Sequence, residues 1–255
     1  MGHEKQLVRR WIEDGVGRVH LNDPDHRNAL SRELSDALAD AVGAVIESGA
    51  AAIVLTAEPP VFCAGGSLSG LLDRTTPLRD TYAGHRALAH SPIPTIAAVA
   101  GRAIGAGVNL PLACDVIVAG DSALFDPRFL DVGIHPGGAH LWRLTQRVGL
   151  QGAAAMSLLG DTLNGAEAEA HGLAWRCVPD AELEEFAVKL ARRAAQRSGP
   201  LVQRTKATLR TLLAAVDFDD AFEIELAAQQ WSVEQPEFES SVQRIIAGLQ
   251  QRENT

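Results

Sequence analysis

The sequence predicts an α/β protein in which helices cover a parallel sheet and an all-helical region follows. Up to residue 197, short apolar runs with strand composition alternate with segments that repeat apolar residues at helical spacing. After the break at Ser198-Gly199-Pro200, every remaining apolar pattern is helical. The predicted organisation is therefore an α/β core at residues 1–197 and a C-terminal helical region at residues 198–255.

Short apolar runs rich in branched residues predict the strands of the core. They lie at residues 7–12, 17–21, 51–56, 95–100, 115–119 and 123–125. Asp14-Gly15 joins the first two, and this dipeptide is typical of a hairpin turn. The run at residues 95–100 has no polar position after Thr95 and is bounded by Pro94 and Gly101, which indicates a buried strand.

Helices are predicted where apolar residues recur at intervals of three and four. They lie at residues 32–48, 77–89, 108–113, 139–148, 151–159, 165–171, 182–197, 201–215, 218–231 and 238–249. Ser31 can cap the first of them, because a serine oxygen accepts a hydrogen bond from the first helical turn. In the tail, Phe218, Phe222 and Trp231 can pack against the chain itself or against another copy.

Composition limits the functional classes. The chain has 255 residues, 46% of them hydrophobic, which suffices for a large core, and its formal net charge of -9 disfavours nucleic-acid binding. No apolar run approaches the roughly 20 residues of a membrane span, and no secretion signal opens the chain. The 3 cysteines have no paired spacing. We expect a cytoplasmic protein, and no metal, because His135 and His140 have no third ligand nearby.

Two glycine-rich stretches place small residues where a predicted strand ends. Gly101, Gly105 and Gly107 follow one strand, and residues 61–68 follow the strand at residues 51–56. Backbone amides without side chains around them favour a negative or polarised oxygen. Two such strand ends could hold one oxygen from both sides, which is an oxyanion hole.

Simpler interpretations exist for each stretch. The glycines can serve only a tight turn from strand to helix, while a dinucleotide site would need glycine at Leu110. A serine-hydrolase nucleophile elbow would need serine at Leu68, the centre of Gly66-Ser67-Leu68-Ser69-Gly70.

The order and spacing of four pieces resemble the crotonase superfamily, the enoyl-CoA hydratase/isomerase fold, over nearly the whole chain. The pieces are Arg27-Asn28-Ala29-Leu30 and residues 62–68, 94–115 and 125–144. The resemblance implies a crotonase-like (ββα spiral) core with a C-terminal helical trimerisation region. It also implies a homotrimer or a hexamer built from two trimers.

The resemblance further implies an acyl-CoA thioester whose carbonyl is bound by the backbone N–H groups of Gly66 and Ala106. CoA is then part of the substrate, and no separate cofactor is expected. The substrate-binding and CoA-binding residues implied are Arg27, Ala29, Ala64, Gly65, Gly66, Ser67, Leu68, Gly105, Phe129, Pro136 and Gly137. Ser67 departs from the family pattern, which usually has aspartate there.

Both glutamates that hydratases of this family use are replaced, by Asn109 and Phe129. Asparagine can hold a water but cannot ionise, and phenylalanine can only shape the pocket. Substitutes for the missing acids are Asp131, His135 and His140, and a histidine can act as acid or base near neutral pH. The alternatives are that Asp131 forms a local cap or ion pair and that His140 helps to start a helix.

Two functional classes follow from these residues. One is an enzyme that acts on an acyl-CoA through a stabilised enolate, by hydration, isomerisation or a related proton transfer. The other is a non-catalytic fatty acyl-CoA-binding homologue, which the loss of both glutamates favours. A structural subunit of a mixed oligomer is a third interpretation.

Overall fold

The computed structural model describes residues 6–67, 70, 72 and 77–253, and it confirms the α/β class. The chain forms two compact units, residues 1–195 and residues 196–255. In the described part of the chain all strands belong to the first unit. None of the described helices is long and apolar enough to cross a membrane.

The first unit contains two sheets. Its strands are β1 (Val8–Glu13), β2 (Val16–Leu21), β3 (Ala52–Ala57), β4 (Thr95–Val99), β5 (Arg102–Ile104), β6 (Val116–Gly120), β7 (Leu124–Asp126), β8 (Leu163–Asn164) and β9 (Arg176–Val178). The larger sheet has the order β1-β2-β3-β4-β6-β9 and the smaller one the order β5-β7-β8. Beyond the antiparallel β1-β2 hairpin, the neighbours in the larger sheet are parallel.

Helices cover the sheets and form the second unit. Those of the first unit are α1 (Arg32–Glu47), α2 (Ala83–His90), α3 (Ala106–Ala113), α4 (His140–Leu159), α5 (Gly165–Ala170) and α6 (Asp180–Ala195). Those of the second are α7 (Gly199–Thr211), α8 (Phe218–Val233) and α9 (Pro236–Glu253). The two helices predicted at residues 139–148 and 151–159 lie within α4, where a kink at the non-helical Gly149 (φ 69°, ψ 175°) separates them as predicted.

The central strands are buried on both faces, as their apolar runs predict. On β3, Ile53 and Leu55 point to one face, where α1 packs, and Val54 points to the other, where α6 packs. Successive side chains of a strand alternate between faces, so one strand contributes to both clusters. Ser31 caps α1 by accepting a 3.1 Å hydrogen bond from Leu34 N, as predicted.

The sequence patterns missed three short strands, β5, β8 and β9. The Gly101 turn leads first into β5, which pairs with β7, and only then into α3. Strands of two or three residues are too short for a periodic pattern, and tertiary pairing stabilises them. The strand β5 therefore decides where the second glycine-rich stretch lies.

Candidate active site

The first glycine-rich stretch is held between the Arg27 loop and β5. Leu30 N donates to Gly65 O (2.7 Å) and Ser67 N donates to Leu30 O (3.0 Å). On the other side Ile104 N donates to Cys63 O (2.9 Å). This parallel bridge between Leu30 and Gly66 is formed by the carbonyl of Gly65 and the N–H of Ser67, so the N–H of Gly66 itself takes no part in it.

The second stretch places Ala106 as the first residue of α3. Gly105 has φ 51° and ψ -120°, and its N–H donates to Asp126 O (2.7 Å). A residue in the first helical turn has no acceptor for its N–H within the helix. Ala106 N–H is thus available at the helix start, the end that favours negative charge.

The two stretches lie against each other because glycine occupies the contact. A Cβ at Gly65 (φ +94°) would lie 2.6 Å from Ile104 O and 3.6 Å from Ala106 N, and a Cβ at Gly107 would lie 2.3 Å from Cys63 O. Within the described residues, neither Gly66 N–H nor Ala106 N–H has a hydrogen-bond acceptor. Two unpaired amides on adjacent segments can donate to one oxygen, and their role stays a prediction.

A cavity of about 470 Å³ lies beside this contact. It is lined by Arg27, Pro60, Val61, Ala64, Arg102, Ile104 and Arg128. Arg128 Nε donates to Asp126 Oδ2 (2.9 Å), whereas Arg27 and Arg102 have no carboxylate partner within the described part of the chain. Three guanidinium groups at one cavity, in a chain of net charge -9, can hold a ligand with several negative charges.

Asn28 fixes the loop that carries Arg27 and Ala29. Its side chain is fully buried, donates to Glu58 O (2.9 Å) and Val61 O (2.8 Å), and accepts from Asp23 N (2.8 Å). Arg27 and Asn28 both have left-handed backbones, at φ 55° and φ 52°. A buried amide with both groups satisfied holds this strained turn in one conformation.

Asn109 and Phe129, the two residues that replace the hydratase glutamates, both contact His140. Asn109 Oδ1 lies 2.7 Å from His140 Nδ1, and Asn109 Nδ2 donates to Gly137 O (3.1 Å). The Phe129 ring meets the His140 ring edge to face, with 4.9 Å between centroids. Asn109, Phe129 and His140 are all buried. The hydrogen bond joins residues 31 positions apart, which no local pattern could have indicated.

Burial keeps His140 and its neighbour His85 neutral. His85 Nδ1 lies 3.0 Å from the carbonyl oxygen of Asn109. Loss of hydration disfavours the charged imidazolium and lowers the pKa of His85 to about 4. The same desolvation, with repulsion from His85, lowers the pKa of His140 to about 4. Both side chains are neutral at physiological pH.

The other residues predicted as acids or bases lie outside this cluster. Asp131 is exposed in a 3-10 turn (Leu130–Val132), and His135 is exposed with its Nδ1 2.8 Å from Pro136 O. Ser67 Oγ accepts from Gly70 N (3.3 Å), while Leu68 lies outside the described residues. Among the described residues no three His, Cys, Asp or Glu side chains are grouped as metal ligands.

The chain is similar to enoyl-CoA hydratases over most of its length. The family model for enoyl-CoA hydratase/isomerase matches residues 11–249. The probable enoyl-CoA hydratase EchA14 of Mycobacterium tuberculosis is 39% identical over 238 residues, which cover 89% of this chain and 92% of that protein. A probable enoyl-CoA hydratase of Rhodobacter capsulatus is 37% identical over 187 residues, covering 69% of this chain and 70% of the relative.

Solved structures show the same architecture. Human enoyl Coenzyme A hydratase domain-containing protein 3 superimposes with a TM-score of 0.87 at 27% identity, covering 95% of this chain and 98% of that one. A Thermobifida fusca protein solved in complex with CoA has a TM-score of 0.80 at 27% identity, with 90% and 93% covered. The likeness over nearly full length confirms the crotonase-like core predicted from the sequence.

Proposed function

Because the chain belongs to the enoyl-CoA hydratase/isomerase family, we propose that it binds an acyl-CoA thioester and stabilises the enolate formed from it. The observation that carries this proposal is the pair of unpaired backbone amides, Gly66 N–H and Ala106 N–H, on two segments in direct contact. They would donate to the thioester oxygen as negative charge develops on it.

The arginine-lined cavity suits the anionic part of CoA. Arg27, Arg102 and Arg128 come from three separate segments, the Arg27 loop, the start of β5 and the turn after β7, and line the cavity with Ala64, which belongs to the same stretch as Gly66. Phosphate oxygens pair well with guanidinium groups because both present several donors or acceptors at once. The CoA nucleotide would lie here and the thioester would lie deeper, so CoA enters as part of the substrate and no metal or separate cofactor takes part.

The reaction we favour is a proton transfer at carbon next to the thioester. Enolate stabilisation needs only backbone amides and therefore survives the replacements at Asn109 and Phe129. Ordinary hydration with two carboxylates cannot occur at these positions, because neither side chain ionises. The same replacements support the alternative, a non-catalytic homologue that binds fatty acyl-CoA.

The helical second unit is the region through which the chain would form oligomers. The second unit carries large apolar side chains that are exposed in the single chain: Leu209 63%, Leu213 57%, Phe218 77% and Phe222 50%. Exposed apolar area of this kind favours association into a homotrimer or a hexamer, in the cytoplasm. Light scattering coupled to gel filtration gives the mass; a monomer at micromolar concentration would contradict this part.

Binding and turnover separate the two functions. Calorimetric titration with CoA, butyryl-CoA and crotonyl-CoA should show saturable binding, and absence of binding for every thioester would rule out both. Crotonyl-CoA hydration and 3-enoyl-CoA isomerisation, followed by absorbance of the conjugated thioester, then test catalysis. Binding with turnover no faster than in buffer would identify the non-catalytic homologue.

A further inference from the structure

The orientation of the Asn109 side chain fixes the tautomer of His140. Asn109 Nδ2 donates to Gly137 O at 3.1 Å, and the flipped amide would place two acceptor oxygens against each other. The Asn109 atom that faces His140 Nδ1 at 2.7 Å is therefore Oδ1, which carries no hydrogen. The proton of this hydrogen bond must come from His140, so Nδ1 is the protonated nitrogen.

The other ring nitrogen of His140 is consequently a bare acceptor. A neutral imidazole with its proton on Nδ1 has a lone pair on Nε2. His140 is 1% exposed, and its Nε2 has no hydrogen-bond partner among the described residues. A buried acceptor without a partner costs about 1–3 kcal/mol, so this atom calls for an explanation, and a ligand or water that donates to it supplies one.

The surroundings of the His140 ring favour a base that starts neutral. Phe129 packs against the His140 ring, and His85, whose Nδ1 lies 3.0 Å from the Asn109 carbonyl oxygen, is also neutral. Asn109 reaches His140 from α3, the helix whose first residue is Ala106. The Asn109 side chain thus connects His140, which carries the lone pair, to α3, the helix whose first residue is the proposed oxyanion donor.

We propose that His140 Nε2 is the proton acceptor of this site and that Asn109 is its positioning residue, an assignment that rests on the proposed binding of an acyl-CoA. Nε2 takes a proton from the α carbon of the thioester. The electron pair of the broken C–H bond forms the enolate C=C, and the carbonyl pair moves to the oxygen held by Gly66 and Ala106. The imidazolium returns the proton to the α carbon or, in a 3-enoyl thioester, to the γ carbon, which shifts the double bond.

One base is sufficient for this proton shift. The imidazolium that took the α proton gives a proton back to the substrate, so no second acid and no co-reactant is needed; exchange of that N–H with solvent before the return step places deuterium in the product in D₂O. That requirement matches a site in which Asn109 and Phe129 replace both acids. His140 then deepens the proposed function by naming its reaction class, a proton shift in an unsaturated acyl-CoA.

The test measures deuterium incorporation and isomerisation with trans-3-hexenoyl-CoA in D₂O. His140→Gln, which cannot accept a proton at neutral pH, should lower both rates by about 10²- to 10⁴-fold while hexanoyl-CoA still binds within about threefold of the original affinity. His171→Gln is the matched control, because His171 is exposed at the end of α5 and should leave both rates unchanged.

Distinct results overturn the two proposals. If no thioester binds the original protein, the proposed function fails. If thioesters bind but His140→Gln exchanges as fast as the original protein, or His135→Gln alone loses exchange, the assignment of His140 fails and the function stands. Nitrogen NMR of the original protein reports the tautomer without relying on the folding of a variant. We expect His140 to carry its proton on Nδ1 at pH 7, and a proton on Nε2 would refute the proposal.

Discussion

The variant Ala106→Pro removes one proposed oxyanion donor while asking little of the fold. Proline is favoured at the first position of a helix, where its missing N–H has no acceptor within the helix. Ala106 starts α3, and its N–H has no acceptor within the part of the chain described. The residue before proline must avoid the helical region, and Gly105 at φ 51° and ψ -120° mirrors an extended conformation that glycine adopts freely.

The expected loss follows from removing one of two donors. An oxyanion-hole donor contributes about 2.7–4 kcal/mol, or 10²- to 10³-fold in kcat. We therefore expect kcat for 3-enoyl-CoA isomerisation to fall by that factor. The free energy of unfolding should change by less than about 1 kcal/mol, because no native hydrogen bond to a described residue is lost.

The matched control is Ala106→Gly, which keeps the N–H and should retain most of the activity. Both variants are compared by kcat for isomerisation, affinity for hexanoyl-CoA and urea denaturation. A kcat for Ala106→Pro equal to that of Ala106→Gly, in equally stable proteins, would refute the role of this amide. A general loss of stability in Ala106→Pro would instead contradict the conclusion that the amide is unpaired.

Three further variants or conditions test other parts of the structure. Arg102→Ala should weaken CoA binding by up to about 1 kcal/mol, and by more at low salt, because salt screens exposed ion pairs. Calorimetry compares the CoA affinity of the original protein at about 20 mM and about 200 mM salt. The same affinity at both salt concentrations would contradict the phosphate contact. Gly65→Ala places a Cβ 2.6 Å from a carbonyl oxygen, at a backbone φ of +94°, and should destabilise the protein by roughly several kcal/mol. The control Gly43→Ala on α1 meets nothing within 4 Å and should stabilise the protein by up to about 1 kcal/mol. Urea denaturation measures both variants, and equal effects would contradict the close contact at Gly65. The pKa values of His85 and His140 are lowered to about 4 in the folded chain, so the unfolded chain binds more protons between pH 6.5 and 4. The free energy of unfolding should therefore decrease as the pH is lowered through that window, by roughly 3 kcal/mol for each histidine. A His140→Gln variant whose stability depends on pH as steeply as that of the original protein would show that His140 contributes nothing to this dependence.

The sequence by itself determined most of the core. A short apolar run rich in branched residues and bounded by Pro94 and Gly101 indicated the buried strand β4, and Ser31 and Asp14-Gly15 mark a helix start and a hairpin from local chemistry. The glycines at 65 and 107 likewise indicate close backbone approach through residue type alone, because they carry no side chain. Most of these features depend on residues that are close together in the sequence, so local patterns can indicate them.

Only the tertiary structure decided which side chains share the site. The patterns offered Asp131, His135 and His140 as substitutes, and the fold buries His140 against Asn109 and Phe129 while it leaves the other two exposed. The arginine-lined cavity likewise joins three segments that are distant in the chain. Such contacts depend on where strand ends and helix starts converge after the sheets have paired, and a short-range periodic pattern contains no information about that convergence.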